Sequence, residues 1–269
     1  MDTIGFVGGG NMAEAIIRGI ITAKIYRPEH VFVSDIRQDR LEFLREEYKV
    51  ITLENNAELA DEAATIILSV KPQNMSNVLH EIKDAVNPEK LIISIAAGVR
   101  LGSICAILGE VPAVRVMPNT PALIGEGAAA LCANEKARPM LDRAKSIFES
   151  VGLAVVVDNE DLLDAVTAVS GSGPAYYFLL MEEMIEAATM LGLDRNLAKD
   201  LVLQTAKGAS LLAVEADKNN ESPSVLRRKV TSPGGTTEAA LNVFAANKFG
   251  LMIADALKAA VERSRTLRG

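Results

Sequence analysis

Two glycine-rich stretches hold residue types that do chemistry mainly through the backbone. Near the N-terminus, Ile4-Gly5-Phe6-Val7 runs into Gly8-Gly9-Gly10-Asn11-Met12-Ala13, a Gly-x-Gly-x-x-Ala pattern between a strand-like run and a helical one. In that setting Gly8 permits a tight turn, Gly10 lets a pyrophosphate approach the backbone, and Ala13 allows a helix to pack closely on a strand. Amides near Asn11 and Met12 then face phosphate at a helix start. A glycine-rich turn in a nucleotide-free domain is the plainer alternative. The second stretch, Val230-Thr231-Ser232-Pro233-Gly234-Gly235-Thr236-Thr237-Glu238, precedes an apolar-periodic helix. Pro233 stops any preceding helix, the paired glycines bare the amides, and the Thr237 hydroxyl sits beside them, a grouping suited to a small anion. On local grammar alone an ordinary helix entry through a Pro-Gly turn is the favoured reading.

Further candidates follow the strand-like runs. Ser34-Asp35-Ile36-Arg37 ends the second run, with Asp35 falling 25 residues after Gly10. A carboxylate there bonds ribose hydroxyls and repels a 2′-phosphate, which favours NAD, whereas Arg37 and Arg40 favour NADP; Asp35 or Asp39 as a simple helix cap is also open. Val70-Lys71-Pro72-Gln73 lies at a strand's carboxyl end, where Lys71 faces phosphate or the nicotinamide ribose, or is only a solvated loop lysine. Ser94-Ile95-Ala96-Ala97-Gly98 is small enough for a flat ring to pass, and Met117-Pro118-Asn119-Thr120-Pro121 is a stiffened loop. Ser170-Gly171-Ser172-Gly173-Pro174 breaks an apolar run and then starts a helix, as a hinge at a ligand crevice or to let two helices cross closely.

The elements that must place these residues change character along the chain. Up to about residue 160, β-branched runs at Ile4–Val7, Val31–Ser34, Thr65–Val70, Leu91–Ile95, Ala113–Met117, Ala128–Cys132 and Ala154–Val157 alternate with amphipathic stretches. That alternation predicts an α/β fold with a mostly parallel, doubly wound, Rossmann-like sheet over residues 1–160. Residues 161–269 carry helical spacing only, at Tyr176–Leu191, Leu197–Ala216, Glu238–Ala246 and Leu251–Arg265. Their apolar surfaces wrap more than one face, which suits burial against another subunit.

Composition bounds the function. The chain has 269 residues, 49 % hydrophobic, with a net charge of −7 and no long run of like charge, so a nucleic-acid surface is not expected. Cys105 and Cys132 have no metal-ligand spacing, and no metal site is expected; they read as free thiols of a reducing compartment. The N-terminus lacks a signal-like segment and the longest uncharged run is broken by glycine and proline. A cytoplasmic protein without a membrane span is expected.

Taken together in order and spacing, these motifs resemble the pyrroline-5-carboxylate reductase family over nearly the whole chain, most specifically through Leu226 to Leu241. The resemblance implies a Rossmann domain joined to an all-helical dimerisation domain. It implies reduction of 1-pyrroline-5-carboxylate to L-proline with NADP(H) or NAD(H), the last step of proline biosynthesis. Carried over, Val7, Gly8, Gly9, Gly10, Asn11, Met12, Ser34, Asp35, Asn56, Ser69, Val70, Lys71, Pro72, Ile95, Ala96 and Ala97 fall where the family holds its dinucleotide. Ser232, Gly234, Gly235, Thr236 and Thr237 fall where it holds substrate. Intertwined homodimers, often built further into decamers, are implied as well, with each helical domain completing its partner's crevice. Two departures stand out: Asp35-Ile36 replaces a polar residue followed by Arg or Ser, and Lys229 stands where some relatives carry Asn beside the cofactor.

Amides of Gly234-Gly235-Thr236 at a helix start are expected to take the substrate carboxylate without an arginine, with Thr237 hydrogen-bonding the ring nitrogen. An imine that arrives protonated needs mainly position and polarity, so no acid–base histidine is required, and His30 and His80 read as structural or solvated. A β-hydroxyacid dehydrogenase shares the domain plan but needs a Lys and an Asn where this chain has Tyr177 and Met181. A nucleotide sensor without turnover would be expected to have lost part of one glycine stretch.

Overall fold

Short β-branched runs sort their alternate residues onto two faces, because successive side chains in a strand point in opposite directions. A computed structural model describes residues 3–266. The strands β1 (Ile4–Val7), β2 (Val31–Ser34), β3 (Ile51–Leu53), β4 (Thr65–Leu68), β5 (Leu91–Ser94), β6 (Ala113–Met117), β7 (Gly127–Ala133) and β8 (Gly152–Val156) form one sheet in the order β3-β2-β1-β4-β5-β6-β7-β8. Strands β1 to β6 run parallel, β7 is antiparallel to β6, and β8 is parallel to β7. The strand order reverses between β1 and β4, the switch point where open parallel sheets bind ligands.

The helices of this part are α1 (Asn11–Thr22), α2 (Gln38–Tyr48), α3 (Asn56–Glu62), α4 (Met75–Ile82), α5 (Leu101–Leu108), α6 (Leu141–Glu149) and α7 (Leu162–Val166). One apolar cluster joins Ile4, Phe6, Val33, Ile67 and Ile93 to Ile16, Ile20, Leu44 and Phe148 of α1, α2 and α6. The other joins Val7, Phe32, Ile66, Leu68 and Ile92 to Leu59, Leu79, Ile104 and Leu163 of α3, α4, α5 and α7. Both faces are therefore covered, as expected of a doubly wound sheet.

After β8 every regular element among the described residues is helical: α7, α8 (Gly173–Met190), α9 (Arg195–Asp217), α10 (Pro223–Lys229), α11 (Thr236–Ala246) and α12 (Phe249–Thr266), with a π-helical turn at Thr167–Gly171. Contacts divide the chain into Met1–Pro174 with Ala259–Gly269, and Ala175–Lys258. The end of α12 belongs to the first unit because buried Asp164 of α7 accepts a hydrogen bond from Ser264 Oγ at 2.9 Å. Within the second unit large apolar side chains stand in solvent, among them Tyr177, Phe178, Leu211, Leu212, Val243 and Phe244. No single helix among the described residues is long and apolar enough to cross a membrane.

Several expected boundaries move. The run expected to end at Val70 stops pairing at Leu68, which leaves Ser69 and Val70 in the loop, and β5 ends at Ser94. Pro139 holds the chain before α6 in a 3-10 turn at Glu135–Met140, so that helix begins only at Leu141. Strand β3 and helices α3, α7 and α10 are additional; each has seven residues or fewer, too short for a periodic signal. Cys132 is buried and Cys105 half-buried, both free. Burial pushes the Cys132 thiol up, with the Glu160 carboxylate adding to it, so it is a poor nucleophile.

Candidate dinucleotide and anion sites

The glycine loop after β1 is shaped by a close approach. Gly8 has φ +98°, and a Cβ on it would lie 2.8 Å from the Ser69 carbonyl oxygen, so any side chain there meets backbone. Gly8 N donates to Ser34 O at 2.8 Å, and Ser69 Oγ donates to Gly8 O at 2.5 Å. Gly10 is different. It is the N-cap of α1 at φ −65° and ψ −179°, a conformation open to any residue, and a Cβ on it would meet nothing within 4 Å. The first helical bond runs from Glu14 N to Gly10 O at 2.9 Å, so the amides of Asn11, Met12 and Ala13 precede it, and glycine offers no capping side chain.

Asp35 sits beside this loop. Its Oδ2 accepts Gly9 N at 2.8 Å and its Oδ1 accepts Arg37 N at 2.9 Å. Ser34 Oγ donates to Asn56 Oδ1 at 2.7 Å, and Asn56 Nδ2 donates to Glu81 Oε2 at 2.5 Å. Thus Val7 to Met12, Ser34, Asp35, Asn56 and Ser69 are brought together at the carboxyl ends of β1, β2 and β4. Ile95 N bonds Leu68 O at 3.1 Å, which places Ile95, Ala96 and Ala97 at the same edge. Val70 packs 3.1 Å from the Cβ position of Gly8, while Lys71 and Pro72 are exposed at the start of a 3-10 turn.

The anion-suited stretch of the second unit needs one correction. Helix α11 starts at Thr236, two residues before the expected Glu238, because extended Gly235 (φ −82°, ψ 168°) serves as N-cap. Gly234 and Gly235 do not bare their amides as expected. Gly234 N donates to Glu238 Oε2 at 2.8 Å and Gly235 N to Ser232 O at 3.0 Å. Gly234, at φ +72°, instead makes the turn that brings the chain into the helix. The first helical bond is Ala239 N to Gly235 O at 3.1 Å, so the amides of Thr236, Thr237 and Glu238 precede it. Ser232 and Thr236 are exposed and Thr237 half-buried.

Two helices, α1 and α11, start from glycine N-caps, the first of them after the Gly8-Gly9-Gly10 stretch. A family model for pyrroline-5-carboxylate reductase dimerisation matches residues 160–267, and one for NADP oxidoreductase, coenzyme F420-dependent, matches residues 3–98. A pyrroline-5-carboxylate reductase of Pseudomonas aeruginosa is 44 % identical over 266 residues, covering 98 % of this chain and 96 % of the relative. The chain belongs to the pyrroline-5-carboxylate reductase family. Solved structures of that family superpose over all of it. One from Coxiella burnetii does so with TM-score 0.94 at 40 % identity over 99 % of its own chain. Another, from Plasmodium falciparum with NADP bound, gives 0.87 at 33 % over 98 %.

Within this family member, Lys229 is committed elsewhere: its Nζ pairs with both Glu221 carboxylate oxygens, at 2.6 and 2.8 Å. Asn119 joins its loop to the π-helical turn, donating to Ser170 O and Oγ at 3.2 Å and accepting Ala128 N at 2.8 Å. Gly171 leaves room for the Met117 methyl at the end of β6, a strand contact and not a crossing of two helices. His80 is exposed with Nδ1 2.7 Å from Ser76 O, and His30 ends a 3-10 turn. Among the described residues no cluster of His, Cys, Asp or Glu could hold a metal.

The partners of Arg40 had no signature in local spacing. Arg40 of α2 donates through Nε to Gly9 O at 2.5 Å and through Nη2 to Glu14, which also accepts Tyr48 OH at 2.9 Å. Partial burial opposes ionisation of Glu14, yet these two hydrogen bonds hold its carboxyl below the usual carboxylate range. The cluster ties α1 and α2 to the loop from behind. Glu14 and Arg40 lie 26 positions apart in the chain, so only the packed helices bring them together.

Proposed function

We propose that this protein is a pyrroline-5-carboxylate reductase, an NAD(P)H-dependent oxidoreductase that reduces the C=N bond of 1-pyrroline-5-carboxylate to give L-proline, the closing step of proline biosynthesis. The observation that carries the reading is the pair of glycine-capped helix starts, at α1 and α11, in a chain that belongs to this family. Residues 1–160 act as the dinucleotide-binding domain and 161–269 as the helical dimerisation and substrate-binding domain.

The first end fits a dinucleotide. Open space at Gly10 admits the pyrophosphate, the Asn11 and Met12 amides meet its oxygens, and the α1 dipole favours their charge. Asp35 takes the ribose hydroxyls, while Ser69, Val70, Lys71, Pro72, Ile95, Ala96 and Ala97 line the nicotinamide end. When bound, the reduced nicotinamide supplies hydride to the imine carbon. The substrate carboxylate is held by the Thr236 and Thr237 amides at the positive end of α11, with Ser232 beside them and Gly234 and Gly235 shaping the approach. Fixing that carboxylate fixes the ring, and the Thr237 hydroxyl hydrogen-bonds the ring nitrogen. The imine nitrogen arrives protonated and keeps its proton in the product, so no residue has to deliver one.

The exposed apolar side chains of the helical unit support a homodimer formed through it, extended further to a decamer. Free Cys105 and Cys132 support a cytoplasmic location. Thr237→Ala is expected to lower kcat/KM by about tenfold, the scale of one lost site hydrogen bond. Steady-state kinetics on the folded variant check this, and unchanged values would remove Thr237 from the mechanism. The reading as a whole is tested by identifying L-proline as the product formed from 1-pyrroline-5-carboxylate with either reduced coenzyme.

A further inference from the structure

We infer that this chain selects NADH over NADPH, with Asp35 as the specificity-determining residue and Arg40 withdrawn from the role a 2′-phosphate would need. The inference rests on the dinucleotide reading above and concerns one end of the cofactor only.

Asp35 cannot turn away from a ligand at low cost. Its two carboxylate oxygens hold the Gly9 and Arg37 amides at 2.8 and 2.9 Å, so rotating it out would strip the glycine loop of one bond and the next turn of another. Each oxygen keeps a lone pair, and two adjacent ribose hydroxyls are donors that match them. A 2′-phosphate replaces one donor with about two negative charges and only acceptors. Further negative charge lies close by. Glu81 is held on Asn56, which is itself held by Ser34, and Asp39 occupies the first turn of α2, where it takes the favourable end of that helix dipole.

The cations do not offset this. Of the two arginines following β2, Arg40 is engaged by Gly9 O and Glu14, lies over the Phe43 ring at 5.1 Å, and keeps a side chain only 13 % exposed. Freeing it would unpair Glu14 and release the loop. Arg37 is 55 % exposed and already shares Asp35, its Nε 3.8 Å from Oδ1. It can cover an adenine face as readily as a phosphate. Ile36 between them is 96 % exposed, an apolar surface that an adenine ring would cover.

Binding measurements test the inference without turnover. Calorimetric titration of the wild-type protein is expected to give NADH a Kd at least about tenfold below that of NADPH, and 5′-AMP the same advantage over adenosine 2′,5′-bisphosphate. In Asp35→Asn, which retains an oxygen acceptor and removes the charge, the NADPH-to-NADH Kd ratio is expected to fall about tenfold. Equal or tighter NADPH binding by the wild-type protein would overturn the inference. So would an unchanged ratio in Asp35→Asn at an unchanged melting temperature. The fragment comparison needs no variant and stands if Asp35→Asn fails to fold. Absence of any dinucleotide binding would overturn both this inference and the reductase reading, whereas binding without preference overturns this inference alone.

Discussion

Gly10→Val is expected to fold with an unchanged melting temperature and to bind reduced dinucleotide about ten- to hundredfold more weakly. The two halves of that result come from different observations. The backbone of Gly10, at φ −65° and ψ −179°, is available to valine, and among the described residues no atom beyond its chain neighbours lies within 4 Å of its Cβ position, so folding meets no obstacle. In the proposed dinucleotide site that same space is the one a pyrophosphate takes to reach the α1 amides. Overpacking a fitted site costs about 1–3 kcal/mol, which is roughly ten- to hundredfold in affinity. Calorimetric titration beside thermal melting separates the two effects. The neighbouring Gly8→Ala is a folding mutation by contrast, because its φ of +98° and the Ser69 carbonyl at 2.8 Å leave no place for a methyl group. If Gly10→Val bound dinucleotide as the wild type does, the open space in front of α1 would have another purpose.

The largest expected effect on stability is at Glu160, far from either glycine stretch in its chemistry. Arg115 on β6 has a side chain only 2 % exposed, and Glu160 Oε1 lies 3.0 Å from its Nη1. The same oxygen accepts Leu101 N at 3.0 Å, which caps α5, and Arg100 lies 3.6 Å from Oε2. Among the described residues Arg115 Nη2 has no hydrogen-bond partner and Glu160 is the one carboxylate paired with this guanidinium. Glu160→Ala therefore leaves a buried cation uncompensated and an α5 amide without its acceptor. Breaking a buried pair from one side costs about 3–5 kcal/mol. For a chain of this size that corresponds to roughly 10 °C in melting temperature. Replacing both partners, in Arg115→Met with Glu160→Gln, is expected to recover most of the loss, since the pair is then neutral, no charge is stranded, and the amide oxygen at 160 still accepts Leu101 N. A shift under about 2 °C for Glu160→Ala would show that water solvates Arg115 in the native state.

These predictions draw on parts of the molecule that were legible in the sequence to different degrees. The doubly wound sheet was legible because β-branched runs such as Val31–Ser34 and Leu91–Ser94 are buried on both faces and stand out as continuous apolar blocks. Strand β3 was not, since Ile51–Leu53 is short, half-exposed and at the sheet edge. Helix α3 did carry a local signal, Asn55 three residues before Glu58, and the Asn55 side chain does accept Glu58 N at 2.7 Å. The glycine turns were legible because their chemistry lies in consecutive residues. What the loop amides bond to was not: the Gly234–Glu238 bond reuses a residue that also reads as ordinary helix-start acid, and Asp35–Gly9 spans 26 positions. Arg40–Glu14 and Arg115–Glu160 belong to the same class. Pairing across 26 or 45 positions depends on which strands become neighbours, and that is a property of the folded sheet.

The central claim is that the two glycine-capped helix starts serve reduction of a cyclic imine carboxylate. It is tested most directly by following reduced-coenzyme absorbance on adding 1-pyrroline-5-carboxylate to the wild-type protein, with NADH and NADPH in separate runs. A loss of absorbance that saturates with pyrroline-5-carboxylate and matches L-proline mole for mole is the predicted result. No pyrroline-dependent loss with either coenzyme, from protein that binds them, would contradict it.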